Sequence, residues 1–409
     1  MFAPKAVCEA GSLWLGEGLE VLLSRKLDSL SPGEILEVQS DDAAIEHDLR
    51  AWARFTANHW KGIRVENGRF ICSIERGAVL RIITSTATQG ESDTRQLVIE
   101  AAARIPQTAN PETGFSPRGA VVENGSPQFP FDVVDAAEAW NPDAADFYQQ
   151  ATSAQWNPST DIPWNAMPAT IHPEIERCVC QLMTFLAENE FAALYVPAKW
   201  IPRIHPHFVE TVMFLSTQIR DEARHIEVFV KRALSNGEGL QFSSASTQRS
   251  LKTLLDREDY LEASFLLGVL GEGTFLDLLR FIEAHAPDPV TAEIARRTRI
   301  DEARHVHFAL THMKHAVESD PALKLKLSAA ARDRASSLAE VRTVNPLVEE
   351  SLIVLAAGGL EPRGLPKGVR AVRRLYASMH ENRIKRLESI GFSSSESENL
   401  SQTHTPNFM

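Results

Sequence analysis

Cysteine is scarce, with four residues in a chain of 409. Cys8, Cys72, Cys178 and Cys180 are too few for a disulfide framework at this length. Cys178 and Cys180 stand two apart, so on a helix they point to different faces, which is poor geometry for a shared metal. Four scattered thiols also provide no iron–sulfur cluster motif. Long apolar runs are missing as well. The longest, such as SLIVLAAGGL, are too short to span a bilayer, so no membrane partner is expected. The opening MFAPKAVCEAGSLWLGEG has neither a basic start nor an apolar core, so no signal peptide is expected and the expected location is the cytoplasm. No Gly-rich dinucleotide fingerprint follows a strand pattern. Positive charge is in deficit: the net charge of −12 argues against a nucleic-acid partner and fits a protein that handles small molecules.

The apolar fraction of 44% is ample for a core, and the length favours more than one domain. Residues 1–78 read as a small α/β unit. GEGLEVLLSRKLDSL predicts a helix with Leu19, Leu22, Leu23 and Leu27 on one face, and SPGEILEVQS a turn followed by a strand. DDAAIEHDLRAWARFTANH predicts an Asp-capped amphipathic helix, and GIRVENGRFICSI a hairpin turning at Asn67-Gly68. Residues 79–145 are rich in Gly, Pro, Ser and Asn, the composition of a linker or irregular segment. Helical periodicity dominates from about Ile171 to Leu387, so residues 146–345 are expected to form a helical bundle and 346–409 further helices. FSSSESENLSQTHTPNFM, at the end, has the composition of a disordered tail.

The pentapeptide Asp-Glu-Ala-Arg-His occurs twice, at Asp221–His225 and at Asp301–His305. Each copy follows a segment with the pattern Leu-x-Glu-x-x-Phe, LAENEF from Leu186 and LGEGTF from Leu270. This alignment pairs Glu188 with Glu272 and Phe191 with Phe275. Each half then consists of a helix bearing one Glu, a connection, and a helix bearing Glu-x-x-His. Residues three apart share a helix face, so Glu222 points with His225 and Glu302 with His305. Glu222 and His225 fall on the stripe of Leu215, Ile219, Ile226 and Phe229, away from Arg220, Arg224 and Lys231. Glu302 and His305 fall near Ala295, Val306, Ala309 and Met313. Carboxylates on a core-facing stripe are costly to bury alone, and a bound cation offsets that cost. Carboxylate with imidazole suits iron or manganese better than calcium or a thiolate-type zinc site. One Glu from each of two helices, with Glu-x-x-His from the other two, is the ligand arrangement of four-helix-bundle di-metal proteins. The candidate ligands are therefore Glu188, Glu222, His225, Glu272, Glu302 and His305. Glu190, nearly opposite Glu188 on its helix, is the alternative to Glu188. Asp221 and Asp301 are candidates to accept the second N–H of a ligand His on the facing helix. Arg224 and Arg304 either neutralise those aspartates or lie on the polar face.

Residues 148–345 resemble the ferritin-like di-iron superfamily, and the Asp-Glu-x-Arg-His motifs look most like those of bacterial multicomponent monooxygenase hydroxylases, with the ribonucleotide reductase small subunit a more distant relative. The resemblance implies one iron held by Glu188, Glu222 and His225, a second by Glu272, Glu302 and His305, and Glu222 and Glu302 as bridges. QWNPSTDIPW, from Gln155 to Trp164, is similar to a lead-in segment of such proteins. The radical-bearing Tyr of the reductases corresponds to Phe229, and the extra His of arylamine oxygenases to Thr298. The N-terminal unit resembles the TusA-like sulfur carriers, but the place of their Cys-Pro-x-Pro motif is taken by Gly16-Glu17-Gly18-Leu19, so sulfur transfer is not expected of it. The implied function is a non-haem di-iron oxidoreductase, an oxidase or oxygenase. It would use two Fe ions (Mn or mixed Mn/Fe as the alternative), O2, a small organic substrate and an external electron donor, with a homodimer compatible. A ferroxidase, or a sulfur-relay scaffold, is the competing expectation.

Overall fold

The computed structural model describes residues 3–77, 81–82, 103–120, 122–123, 127–338 and 345–403. The linker expectation for residues 83–102 and the last six residues of the tail lie outside them. The chain divides into two compact units, one within Met1–Ala102 and Gly119–Gln128, the other within Ala103–Arg118 and Phe129–Met409.

The first unit runs β1 (Ala6–Gly11), α1 (Leu19–Asp28), β2 (Ile35–Ser40), α2 (Ile45–Phe55), β3 (His59–Glu66) and β4 (Arg69–Glu75). The sheet order is β1-β2-β4-β3, with β1 parallel to β2 and the other pairs antiparallel. Both helices share one core with the sheet, built from Leu23, Leu27, Leu36, Val38, Leu49 and Ile74 among others. The β3–β4 turn is at Asn67-Gly68, both at positive φ, as a tight hairpin requires. Two expectations are corrected. Leu22 is 44% exposed while Leu19, Leu23 and Leu27 are buried, because the stripe runs strictly four residues apart here. No side chain caps the first residue of α2; Asp42 instead accepts from the backbone of Ala44 two residues on. A short ribbon, β5 (Arg81–Ile82) with β6 (Val122–Glu123), completes the strands of the described residues.

The second unit is helical. It begins with α3 (Ala136–Ala139) and α4 (Ala144–Ser153) and continues with α5 (Pro173–Trp200), α6 (Val209–Leu234) and α7 (Ala245–Leu255). Next come α8 (Tyr260–Ser264), a π-helical stretch (Phe265–Glu272) and α9 (Gly273–His285), which follow one another without a break. Then come α10 (Pro289–Ser319), α11 (Leu323–Ser337), α12 (Pro346–Ala357), α13 (Leu365–Ser389) and α14 (Ser394–Thr403). Helix α5 starts where the His172 ring accepts from the Glu174 backbone, with Pro173 in its first turn. Helix α10 starts the same way, with Asp288 accepting from the Thr291 backbone and Pro289 following it. Buried Arg232, in the last turn of α6, ties these two starts together through Glu176 at 2.6 Å and Asp288 at 2.8 Å. Its charge also suits a helix C-terminus.

The supposed tail is corrected too. Ser394–Thr403 is helical, packs against α13 and α11, and buries Leu400 and Ser401. The Ser401 hydroxyl also sits 2.8 Å from His380 Nδ1. Its polar composition hid an apolar position and a buried serine, Ser401, that is satisfied in place.

Candidate metal centre

Helices α5 and α6 pack along their length, as do α9 and α10. The inner faces of α5, α6 and α10 and the end of the π-helical stretch bring four glutamates and two histidines together, all buried: Glu190, Glu222, His225, Glu272, Glu302 and His305. These form two groups, Glu190–Glu222–His225–Glu302 and Glu222–Glu272–Glu302–His305, and in each the candidate ligand atoms lie within 4.8 Å of one another. Glu222 and Glu302 belong to both groups. Each histidine turns Nδ1 toward the carboxylates. His225 Nδ1 is 3.0 Å from Glu222 and 3.3 Å from Glu302. His305 Nδ1 is 3.0 Å from Glu222 and 3.6 Å from Glu302.

Glu188 is corrected. It lies outside both groups, half-buried and beside Ser243, and Glu190 occupies the place assigned to it. The two are about 200° apart around the helix, so only one can face inward. The aligned phenylalanines show what misled the repeat: Phe191 is 48% exposed while Phe275 is 3% exposed. Pairing Glu190 with Glu272 instead matches buried Ala193 to buried Phe275. A π-helix takes more residues per turn than an α-helix. The stretch ending at Glu272 therefore cannot be phased against α5 by sequence alone.

Around the six residues lies a second ring. Asp301 Oδ2 is 3.3 Å from Nε2 of His225, and Asp221 Oδ2 is 3.3 Å from Nε2 of His305, each reaching across from the opposite helix. Arg224 binds Asp301 at 2.7 Å as well as Asp221, and Arg304 binds Asp221 at 2.8 Å and Asp301 at 2.7 Å. Both arginines are buried, so Arg224 does not share a solvent face with Arg220. The two aspartates and two arginines balance to zero charge.

Burial would raise both aspartates, but His225 and Arg224 hold Asp301 low, and His305 and Arg224 hold Asp221 low. Within the cluster, burial and the charges of Glu222 and Glu302 push Glu190 well above the ordinary carboxylate range. Burial and Glu302 do the same to Glu272. Burial opposes ionisation of Glu222 too, yet His305 and His225 hold it low. Burial would lower the histidines, but Asp301 and Glu190 raise His225, and Glu222 and Asp221 raise His305.

The donor set fits metal. Glu190 Oε1, Glu222 Oε1, Glu272 Oε2, both oxygens of Glu302 and Nδ1 of His305 are buried and make no hydrogen bond of normal geometry among the described residues, the 3.0 Å approach of His305 Nδ1 to Glu222 included, and all belong to the two groups. Unpaired buried acceptors cost about 1–3 kcal/mol each, more when charged. Two divalent cations would satisfy them and cancel the four carboxylate charges.

Sequence reasoning missed Gln218, whose amide donates to Glu272 Oε1 at 2.8 Å. Its position one turn before Glu222 was the available signal. It also left the lead-in segment without a role. Gln155 donates to Asp221 at 3.1 Å and accepts from Arg224 at 2.7 Å, while Trp156 donates its indole N–H to Asp301 at 2.8 Å and stacks under the Arg224 guanidinium at 4.6 Å. Phe229 is fully buried, and Thr298 is buried with no hydrogen-bond partner for its hydroxyl among the described residues.

A pocket opens on one side of the cluster. Its walls include Glu272, His305 and Gln218 but neither Glu190 nor His225. The rest of the wall is mostly apolar, with Val196, Leu215, Leu267 and Phe308 prominent.

No protein-family model and no curated protein matches the chain. Among solved structures, one variant of an R2-like ligand-binding oxidase with a Mn/Fe cofactor is 19% identical, covering 62% of this chain and 95% of its own, at a TM-score of 0.45. Another variant with a Mn/Fe cofactor is 18% identical over 62% of this chain and 95% of its own, at a TM-score of 0.43. A protein with aldehyde deformylating oxidase activity from Synechococcus is 20% identical over 57% of this chain and 98% of its own, at a TM-score of 0.41. At these scores the likeness says nothing about activity. No helix among the described residues is long and apolar enough to cross a membrane.

Proposed function

We propose that the chain is an O2-dependent non-haem di-metal oxidoreductase acting on a small organic substrate. Glu190, Glu222 and His225 would hold one metal ion, Glu272, Glu302 and His305 the other, with Glu222 and Glu302 shared. Iron is the first choice, and manganese or a mixed pair is the alternative, because carboxylate and imidazole donors suit both. When bound, two such ions supply electrons to O2. The chain's own part is to hold the ligands and exclude water. Asp221 and Asp301 fix the ring orientation of the opposite histidine, and Arg224, Arg304, Gln155 and Trp156 fix the aspartates in turn. Electrons come from another protein or from the substrate.

The observation that carries this reading is the pair of buried carboxylate–imidazole groups sharing two glutamates, with an apolar pocket against one of them. The pocket favours catalysis on an organic molecule over iron storage. The N-terminal unit is read as a docking module. Cys8 and Cys72 are buried, and burial raises both thiols, Cys72 to about 12, so neither is a ready thiolate for carrying sulfur.

Elemental analysis after reconstitution is the test. Two iron or manganese ions per chain are expected, with about one ion and the O2 consumption lost in His305→Ala. A chain that takes up neither metal sinks the proposal.

A further inference from the structure

A separate groove lies between α9 and α13, and none of the six candidate ligands is on its wall. It encloses about 270 Å³, near the low end for small-molecule sites. The two helices run antiparallel here. Asn382 Nδ2 donates to Asp277 Oδ1 at 2.8 Å, and His285, about two turns on along α9, has Lys367 and Arg374 as its charged neighbours. Arg374, Ser378 and Asn382 stand one turn apart on α13 and form one wall. Asp277, Arg280 and His285 supply the other, and the buried Phe281, Ala371 and Leu375 make an apolar floor.

Positive charge is in excess at this place, on a chain whose net charge is −12. Beyond Asn382 the same helix buries Arg383 and Arg386. Their hydrogen-bond partners are neutral. Arg383 donates to the Thr274 hydroxyl at 3.2 Å and to the Ser401 hydroxyl at 3.3 Å, and Arg386 to the Val269 carbonyl at 3.1 Å. Buried Arg224, Arg232 and Arg304, by contrast, each contact two carboxylates. Burial lowers the Arg383 pKa to about 9 and the Arg386 pKa to about 10, so both stay charged at neutral pH. Asp277 is the one carboxylate on the groove wall among the described residues. Burial works against its ionisation, and Arg386 and Arg383 already share its charge. Arg280 comes no closer to it than 3.9 Å. Glu283, near the wall in sequence, is turned to Arg299 at 2.8 Å. The side chains of Arg374, Lys367, Ser378 and His285 have no hydrogen-bond or ion-pair partner among the described residues.

An anion answers this excess. A carboxylate presents two oxygens in one plane, whereas a phosphate presents oxygens in several directions and can accept from both walls at once. The guanidinium fork matches phosphate geometry, and a dianion matches two arginines. We infer that the groove between α9 and α13 is a binding site for a phosphate group, held by Arg280 and Arg374 from opposite walls with the Ser378 hydroxyl and His285 as further donors. Free phosphate and a phosphate monoester share this chemistry, and the floor of Phe281 and Leu375 favours an ester with an apolar portion. None of these residues belongs to the two metal groups, so the site stands or falls apart from the di-metal reading.

Calorimetric titration of the full chain with phenyl phosphate, inorganic phosphate, benzoate and benzyl alcohol tests it. Phenyl phosphate is expected to bind at least about tenfold more tightly than benzoate or benzyl alcohol, the size of one charge-assisted hydrogen bond, and to weaken as salt is raised. Inorganic phosphate is expected to bind as well. A gain of about fivefold or more for phenyl phosphate over inorganic phosphate assigns the site to an ester, and equal binding assigns it to the free ion; either result supports the site. Arg280→Met and Arg374→Met, both at exposed positions, should each lower phenyl phosphate affinity about tenfold, with the melting temperature unchanged. Arg220→Met, at an exposed position on α6 outside the groove, should leave that affinity as it was. No binding of either phosphate, equal binding of phenyl phosphate and benzoate, an affinity that survives both substitutions in the groove, or an equal loss in Arg220→Met would each overturn the inference.

Discussion

The two halves of the candidate metal centre share a pentapeptide and differ in almost everything around it. In one half, an unbroken α-helix presents Glu190 to His225, and neither residue touches the pocket. In the other, Glu272 ends a π-helical stretch and stands with His305 and Gln218 on the pocket wall. Four residues before the cluster glutamate, α5 carries buried Leu186 and the π stretch carries Gly268. A Cβ on Gly268 would meet Ala309 Cβ at 2.5 Å, so a glycine is what lets this stretch press against α10. The repeat supplies two candidate ligand sets. The asymmetry decides which set a ligand can reach, and π-helical turns often occur where helices serve function rather than packing.

The largest effects should come from breaking the halves separately. Glu222→Ala removes a carboxylate common to both groups and is expected to reduce metal from two ions per chain to none. Glu190→Ala and Glu272→Ala each remove a carboxylate from one group, so each should retain about one ion. Only Glu272→Ala should also change ligand binding in the pocket, as read by titration. Equal stoichiometry in all three variants would end the claim of two groups sharing two glutamates.

The pocket half also carries a pH signature at His312. The His312 pKa falls from the usual 6.5 to about 4, first because of burial and further because of His315, against the Glu138 carbonyl. The unfolded chain therefore binds a proton that the folded chain refuses between those two values. Stability is fully present above about pH 6.5 and is lost as pH falls toward 4, by at most roughly 3 kcal/mol. His312→Gln should flatten that part of the stability curve in urea unfolding, and an unchanged slope would show that the ring is protonated in the fold.

Much of this was legible in the sequence. The repeat located Glu222, His225, Glu302 and His305, and with them the crossed aspartates, because short helix spacings fix which residues share a face. The hairpin at Asn67-Gly68 was legible for a similar local reason. What escaped had non-local causes. FLLGVLGE is apolar on every side, so nothing in it distinguishes α from π, and the phase of Glu272 against Glu190 was lost there. The roles of Gln155 and Trp156 depend on a loop returning to α6 and α10 from a segment that has no periodicity of its own. Helix α14 was concealed because its burial rests on Leu400 and on Ser401, which finds its partner only in the folded state.

Gly268→Ala tests the π stretch more gently. The added methyl gains up to about 1 kcal/mol in helix propensity but must displace α10 at Ala309, an overpacking cost of about 1–3 kcal/mol. A net loss of roughly 1–2 kcal/mol is expected, seen as a melting temperature several degrees lower. An unchanged melting temperature would mean that the helices separate without strain and that the glycine is incidental.

The smallest effect is expected at Glu188, and it discriminates most directly between the two phasings of the repeat. Burial raises the Glu188 pKa, partly relieved by the Ser243 hydroxyl. A carboxyl whose folded pKa lies above its unfolded one loses stability as pH rises through that interval. Glu188→Gln removes the ionisation, so the variant should match or slightly exceed the wild type at neutral pH, within about 1 kcal/mol. The difference should vanish under acid, where both side chains are neutral. Metal content should stay at two ions per chain, whereas Glu190→Gln, two residues along the same helix, should weaken one site. If Glu188→Gln instead loses an ion while Glu190→Gln keeps both, the helix is phased as the repeat first suggested, and the inward face of α5 must be redrawn.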